Sequence, residues 1–261
     1  MNKFERQPFK KNFECLVHEI RVSNRHFVQN PIVGKILDLV QDHNQYDVIT
    51  EQSPLFRARD CNIDDYEKLN LKPEFEGFDE NESGAAPVSL CKENRANGKG
   101  IRRLYVAEDF ETAVAEIKPL LDNMLSVAEM YTTSPFAVLD IAKPLEDTDS
   151  PDERDYLRQL INMQFAVSCS GDSDGYSFTQ WFSDLVESLG YGENGKINNN
   201  TVEKRGIRYS SATHLQGKNI VIFASRENSG RDPAYNFGVN VVNSKICYIR
   251  DVKYVWGSVK P

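Results

Sequence analysis

The most unusual stretch of the sequence is NRANGKGIRRLYVAEDFETAVAEIKP, which spans residues 94–119. It opens with a basic, glycine-containing loop that runs into the strand-like sequence LYVA at residues 104–107. Asp109 is placed to cap the helix that follows, in which apolar residues recur at helical spacing, and Pro119 ends that helix. The stretch therefore predicts a loop, a strand and a helix in direct succession.

Outside this unit, short strands and helices alternate in an irregular order. Residues 219–224, with the sequence NIVIFA, are apolar on both faces and predict a central strand. A capping box at residues 150–153 predicts the start of a helix, and residues 247–256 predict a last strand. No GxGxxG or GxxxxGK[ST] motif follows a strand, which disfavours both standard nucleotide-binding folds. The order favours an α+β fold, in which a mixed sheet has flanking helices.

The first fifty residues predict a different organisation from the rest. They look helical, because Asn30 and Pro31 form a cap and first-turn pair before apolar residues at helical spacing. We therefore predict a small N-terminal helical accessory segment at residues 1–50 and one domain at residues 51–261.

The composition indicates an ordinary globular protein with a negative net charge. The 261 residues include 31 Lys and Arg and 39 Asp and Glu, so the net charge is −8. This charge disfavours direct binding to nucleic acid or to an anionic membrane. No run approaches the ~20 apolar residues of a membrane helix, and the N-terminus lacks the apolar core of a signal peptide. The scattered cysteines and histidines form no metal motif, so we expect a cytoplasmic protein without a metal.

Four features contain candidate chemistry, and each also has an ordinary structural explanation. Arg57 and Arg59 alternate with apolar residues as in a strand, so they share a face that either holds phosphates or faces water. The loop around Arg95 offers guanidinium and backbone N–H donors to an anion, or is a solvated turn. Glu116 borders the apolar face of its helix and points into a cleft or to solvent. The sequence YSS at residues 209–211 binds a ligand or forms a turn.

Together and in this order, these features resemble the RES domain, which is named after an Arg, a Glu and a Ser. The matching stretches are LFRAR (55–59), residues 94–119, YSFTQWFSDLVESLG (176–190) and GIRYSSATHLQGKNIVIFA (206–224). The resemblance implies an ADP-ribosyltransferase-like fold. It also implies a toxin-like enzyme of a bacterial toxin–antitoxin pair, which consumes NAD+ as its substrate by hydrolysis or phosphorolysis and needs no metal.

Carried over to this sequence, the resemblance implies a role for each site residue. Glu116 stabilises the oxocarbenium-like state at the ribose, as carboxylates do in glycoside hydrolysis. Tyr105 borders the nicotinamide ring, and Ser211 binds the ribose or the carboxamide. The family's Tyr-x-Ser spacing favours Ser211, and Ser210 is the alternative. The implied catalytic residues are Glu116, Arg57, Tyr105 and Ser211, and the implied substrate-binding residues are Arg95, Asn97, Ser210 and Tyr209.

Two other functions stay open. The same site would also serve a transferase that moves ADP-ribose to a protein, and the fold would also suit a catalytically silent binding module. The joint presence of the Arg, Tyr, Glu and Ser residues disfavours the silent module. As a partner, the resemblance implies an Xre-type antitoxin protein that blocks the active-site cleft, and it leaves room for a homodimer.

Overall fold

A mixed β-sheet of eight strands forms the centre of the protein. The computed structural model describes residues 5–23, 25, 27–61, 76–145, 152–167, 173–190, 195–197, 200–224 and 237–251. The strands are β1 Tyr46–Ile49, β2 Pro54–Asp60, β3 Leu104–Ala107, β4 Met124–Thr132, β5 Phe136–Asp140, β6 Gly195–Ile197, β7 Asn200–Val202, β8 Lys204–Ser210, β9 Lys218–Ile222 and β10 Val239–Tyr248. The sheet has the order β1-β5-β8-β9-β3-β2-β4-β10, and β6 and β7 pair separately. Only β5 and β8 run parallel among these neighbours, which confirms the predicted mixed α+β fold.

Helices pack against this sheet, and the longer ones cover one of its faces. Within the described residues they are α1 Arg6–Val22, α2 Ile32–Gln41, α3 Glu80–Ser83, α4 Phe110–Ile117, α5 Glu153–Ala166 and α6 Ser177–Gly190. The largest apolar cluster joins α1, α2, α5 and α6 to the face of β5, β8 and β9 that presents Leu139, Ile207 and Val221. Helix α4 packs on β2, β3 and β4 in a separate cluster. The apolar layer on this face is therefore divided into two parts.

The predicted central strand is confirmed. Strand β9 lies between β8 and β3, and its residues alternate between the two faces of the sheet. Val221 packs in the cluster under the helices, whereas Ile220 and Ile222 pack in a cluster on the opposite face. Because both faces are covered, the strand has the continuous apolar sequence typical of a buried strand rather than an alternating one.

The sequence predicts that the first fifty residues are helical, but the structure shows that they also contain a strand. Residues 46–49 form β1, which pairs antiparallel with β5 at one edge of the sheet. Helices α1 and α2 do form, and their apolar faces belong to the main core; for example, the rings of Phe13 and Phe178 lie 5.3 Å apart. The division at residue 50 stays a prediction, but these helices pack as part of the main core.

Two further boundaries differ from the predicted ones. Helix α5 is capped by Asp152, whose carboxylate accepts from the Asp155 N–H at 2.7 Å, whereas residues 150 and 151 lie outside the described part. The last described strand runs from Val239 to Tyr248, earlier than predicted, and residues 252–256 are likewise not described. As an edge strand it exposes alternate residues, so its sequence lacks the strong apolar signal of a buried strand. None of the described helices is long and apolar enough to cross a membrane.

Candidate active site

Helix α4 places Glu116 beside the sheet. Asp109 begins the helix as predicted, because its carboxylate accepts hydrogen bonds from the backbone N–H and the hydroxyl of Thr112, both at 2.7 Å. The apolar face of the helix packs on β2, β3 and β4. The helix ends at Ile117, and Lys118 takes a left-handed conformation with a φ of 53° before Pro119. Glu116 therefore stands in the last turn, at the border of the buried face.

A row of four side chains crosses the sheet next to Glu116. The strand register places Phe56 of β2 opposite Ala107 of β3, and Ala107 opposite Asn219 of β9. Asn219 is in turn opposite Tyr209 of β8. Directly paired residues lie on the same face of a sheet, so these four side chains form a continuous floor. All four, together with Glu116, line a cavity of about 440 Å³.

Two donors hold the carboxylate of Glu116. Its Oε1 accepts a hydrogen bond from Ser211 Oγ at 2.7 Å and another from Asn219 Nδ2 at 2.6 Å. Ser211 Oγ in turn accepts the backbone N–H groups of Thr213 at 3.1 Å and His214 at 3.0 Å. Because a hydroxyl has one proton, Ser211 donates it to Glu116 and accepts hydrogen bonds from the N–H groups of the loop. Both donors thus fix the position of Oε1.

The loop that contains Ser211, residues 211–217, is also fastened to α4. His214 Nδ1 lies 2.7 Å from Thr112 Oγ1, and this hydroxyl already donates to Asp109 Oδ2. Because the hydroxyl proton of Thr112 is already donated to Asp109, His214 Nδ1–H donates to Thr112 Oγ1. At Gly217 a Cβ atom would lie 2.3 Å from Thr112 Oγ1, so the close approach of loop and helix requires glycine. These contacts hold Ser211 in place beside Glu116.

Arg57 brings a positive charge to the wall of the cavity. Its Nη1 donates to the backbone carbonyl of Ser83 at 3.0 Å and to that of Gly84, at the end of α3. Burial, together with the charge of Arg59, lowers the pKa of Arg57 to about 10, while the nearby Tyr105 acts in the opposite direction. The guanidinium is therefore still protonated at neutral pH, and two carbonyl groups fix its direction.

Arg95 brings a second guanidinium group to the cavity. The residue is only 8% exposed, and its guanidinium carbon lies 5.5 Å from the centre of the Tyr209 ring. Its Nη2 donates to the backbone carbonyl of Val167 at 3.3 Å, and its own carbonyl accepts from the hydroxyl of Thr179. Nε has no hydrogen-bond partner among the described residues. A buried donor of this kind favours an anionic ligand.

Comparison with family models assigns most of the chain to one family. The model of the RES domain matches residues 54–241. The chain belongs to the RES domain family. RES domains are known from toxin–antitoxin systems, are linked to NAD+ as a substrate, and typically pair with an antitoxin. Comparisons with curated proteins and with solved structures gave no match.

Most of the predicted site residues meet at the cavity of this RES domain. Ser211 reaches the site through its hydrogen bond to Glu116. Ser210 contacts α5 instead, where its hydroxyl accepts from the Asn162 side chain at 2.9 Å and its N–H donates to the same side chain. The role of each residue stays a prediction. The predicted residues that line the cavity are Arg57, Arg95, Tyr105, Glu116 and Tyr209.

Asn97 supports the basic loop and is not among the residues that line the cavity. Its Nδ2 donates to the carbonyl groups of Lys92 and Gly98, both at 2.9 Å, and its Oδ1 accepts from the Tyr105 hydroxyl at 2.6 Å. The same hydroxyl accepts the Ala96 N–H at 3.0 Å. Burial raises the pKa of Tyr105, so the hydroxyl remains a donor over the whole neutral range. Asn97 and Tyr105 thus brace the loop while the tyrosine ring faces the cavity.

Sequence reasoning missed other residues of the site. Asn219 touches Glu116, and Phe56, Lys118 and Tyr176 complete parts of the wall. One signal for Asn219 was available, since it is a polar residue at the head of a buried apolar strand. The pairing of β2, β3, β9 and β8 that assembles the floor has no local signal. In the part of the chain that the structure describes, no group of three or more His, Cys, Asp or Glu is arranged to hold a metal ion.

Proposed function

We propose that this RES domain cleaves the bond between nicotinamide and ribose in NAD+. The electron pair of the bond leaves with the ring nitrogen, so nicotinamide departs as a neutral molecule. The ribose carbon then accepts an electron pair from an oxygen of water or of inorganic phosphate. With water the products are nicotinamide, ADP-ribose and a proton, and with phosphate they are nicotinamide and a phosphorylated ADP-ribose.

The observation that supports this proposal most directly is the held carboxylate of Glu116 at the wall of the cavity. Departure of nicotinamide leaves positive charge on the ribose, and a nearby carboxylate stabilises that charge. Ser211 and Asn219 fix the carboxylate before substrate enters, so little reorganisation is needed during the reaction. Because the leaving group is neutral, the reaction needs no strong general acid. The hydrogen bonds to Glu116 support its proposed role in stabilising the charge on the ribose.

The two arginines support a substrate that contains a diphosphate. Guanidinium groups bind phosphate oxygens strongly because their N–H donors form a planar fork. Arg57 is fixed by two carbonyl groups, and Arg95 has a buried Nε without a partner among the described residues. Salt screens charges in a partly buried cavity less than it screens charges on an open surface. The two arginines and the carboxylate therefore suit the dinucleotide, whose diphosphate binds the arginines while its ribose approaches Glu116.

Aromatic side chains support the binding of flat rings. Phe56 and Tyr209 belong to the floor, and Tyr105 lies on the same strand as Ala107, two residues earlier. Successive odd positions of a strand share a face, so the Tyr105 ring is presented on the floor side. Rings of this kind stack on planar ligands through offset or edge contacts. Tyr105 is accordingly proposed to border the nicotinamide ring.

The experiment measures free nicotinamide released from NAD+ by the purified protein, with and without inorganic phosphate. Wild-type protein is expected to release nicotinamide, and the effect of phosphate assigns the reaction as phosphorolysis or hydrolysis. Glu116→Ala is expected to abolish release while the protein stays folded. Glu111→Ala is the matched control, because Glu111 is an exposed carboxylate on the same helix. Near wild-type turnover in Glu116→Ala contradicts the assignment of that residue.

A second arm separates the alternatives. The protein is incubated with cell extract and labelled NAD+, and the extract is analysed by mass spectrometry. Label on a protein supports ADP-ribosyl transfer by the same site. No nicotinamide and no label, together with a melting temperature raised by NAD+, supports a silent binding module, because a ligand of the folded state stabilises it. We also propose a cytoplasmic location, a homodimer, and an antitoxin that covers the cavity and reduces nicotinamide release when present.

A further inference from the structure

We infer that Asn219 is a positioning residue that sets the orientation of the Glu116 carboxylate, an inference that rests on the proposed function. Asn219 Nδ2 lies 2.6 Å from Glu116 Oε1, which is the shorter of the two hydrogen bonds that the carboxylate accepts. Asn219 is 4% exposed, so water does not compete freely for this donor. The contact is also part of the cavity wall.

The backbone of Asn219 is held more firmly than that of the other donor. Asn219 belongs to β9, and it pairs with Tyr209 on one side and with Ala107 on the other. Ser211 instead follows the end of β8, in the loop that returns to β9. A residue in the middle of a sheet moves less than one in a connecting loop. The position of Oε1 is therefore defined mainly by Asn219, and Ser211 adds a second hydrogen bond from the loop.

The chemistry of the side chain fits this role. A carboxylate only accepts hydrogen bonds, so the amide nitrogen of Asn219 has to face Glu116. An amide orients the carboxylate without adding a charge. A lysine or arginine in the same place would offset the negative charge that the developing cation requires, and an aspartate would place a second carboxylate next to the first. Asparagine therefore gives orientation while the full charge of Glu116 is kept.

Two variants test the inference by kinetics. In Asn219→Ala, loss of a hydrogen bond to a charged group is expected to lower kcat by about 10- to 100-fold, with KM changed by less than about threefold. In Asn219→Asp, the acidic limb of the pH profile of kcat/KM is expected to move to higher pH by about one unit or more, because two adjacent carboxylates share a proton. Asn240→Asp makes the same charge change at an exposed position of β10 and is expected to leave the profile in place. A kcat within about twofold of wild type in Asn219→Ala, or an unmoved profile in Asn219→Asp, overturns the inference.

A measurement without turnover separates this inference from the proposed function. Protein labelled with ¹³C in its glutamate carboxyl groups is titrated by NMR, and the Glu116 signal is assigned by its loss in Glu116→Gln. The Glu116 signal is expected to titrate at higher pH in Asn219→Asp than in wild type, and to stay unchanged in Asn240→Asp. If Asn219→Asp does not fold, the change in the chemical shift of Glu116 in Asn219→Ala replaces it. An unchanged signal overturns the inference, whether or not the wild-type protein releases nicotinamide.

Discussion

Replacing Ser211 by alanine tests whether the hydroxyl at the end of β8 holds Glu116. The variant removes the donor that lies 2.7 Å from Glu116 Oε1. A hydrogen bond to a charged group contributes about 1.5–3 kcal/mol, which corresponds to a fall in kcat of about 10- to 100-fold. The variant also leaves the N–H groups of Thr213 and His214 without their acceptor. Because this loop is only partly buried, we expect an unfolding free energy lower by about 1–2 kcal/mol.

The assay combines nicotinamide release at saturating NAD+ with urea unfolding of the same preparations. Ser210→Ala is the comparator, because the Ser210 hydroxyl accepts a hydrogen bond from Asn162, whereas the Ser211 hydroxyl donates one to Glu116. We expect it to lose stability by about 1 kcal/mol and to lose less than about threefold in kcat. If Ser210→Ala loses more activity than Ser211→Ala, the assignment of the functional serine is wrong, and the hydrogen bond to Glu116 has no catalytic meaning.

Three further predictions concern the surroundings of the site. Tyr105→Phe removes the hydroxyl that donates to Asn97 Oδ1 at 2.6 Å, so the unfolding free energy measured in urea should fall by about 1–3 kcal/mol. An unchanged unfolding free energy would contradict the role of Tyr105 in bracing the loop. Because Arg57 has a pKa of about 10, it is charged below that pH. The affinity for ADP in calorimetry should therefore stay constant from neutral pH to about pH 9 and weaken as the pH rises through 10, and Arg57→Met should lack this trend. Gly217→Ala places a methyl group 2.3 Å from Thr112 Oγ1, so thermal unfolding should show a loss of stability of about 1–3 kcal/mol, and kcat should fall. A fully active variant would contradict the packing of the loop at residues 211–217 against α4.

Local signals were enough to predict the unit around α4. The cap at Asp109, the apolar spacing of the helix and the proline after it all act within a few residues, so the strand β3 and the helix follow from the sequence. The continuous apolar sequence at β9 likewise follows from burial on both faces. Two of these elements carry Tyr105 and Glu116, which both line the cavity.

The parts that depend on distant contacts were not predictable in the same way. Strand β1 is only four residues long and is stabilised by its pairing with β5, so nothing in the local sequence separates it from the helices before it. The floor of the cavity depends on the register of four strands that are far apart in sequence. Spacing favoured Ser211, but the direction of its hydroxyl toward Glu116 was visible only in the structure. The substrate-binding role implied for Asn97 stays a prediction, and its hydrogen bonds to Lys92, Gly98 and Tyr105 were visible only in the structure.

The most direct measurement compares binding and turnover of NAD+ in wild-type protein and Glu116→Gln. This variant keeps the size of the side chain and removes its charge. We predict that calorimetry gives NAD+ affinities within about tenfold of each other, whereas nicotinamide release falls by a factor on the order of 10² to 10³ in the variant. Equal turnover in the two proteins would contradict the account, because the charge held by Ser211 and Asn219 would then have no part in breaking the bond.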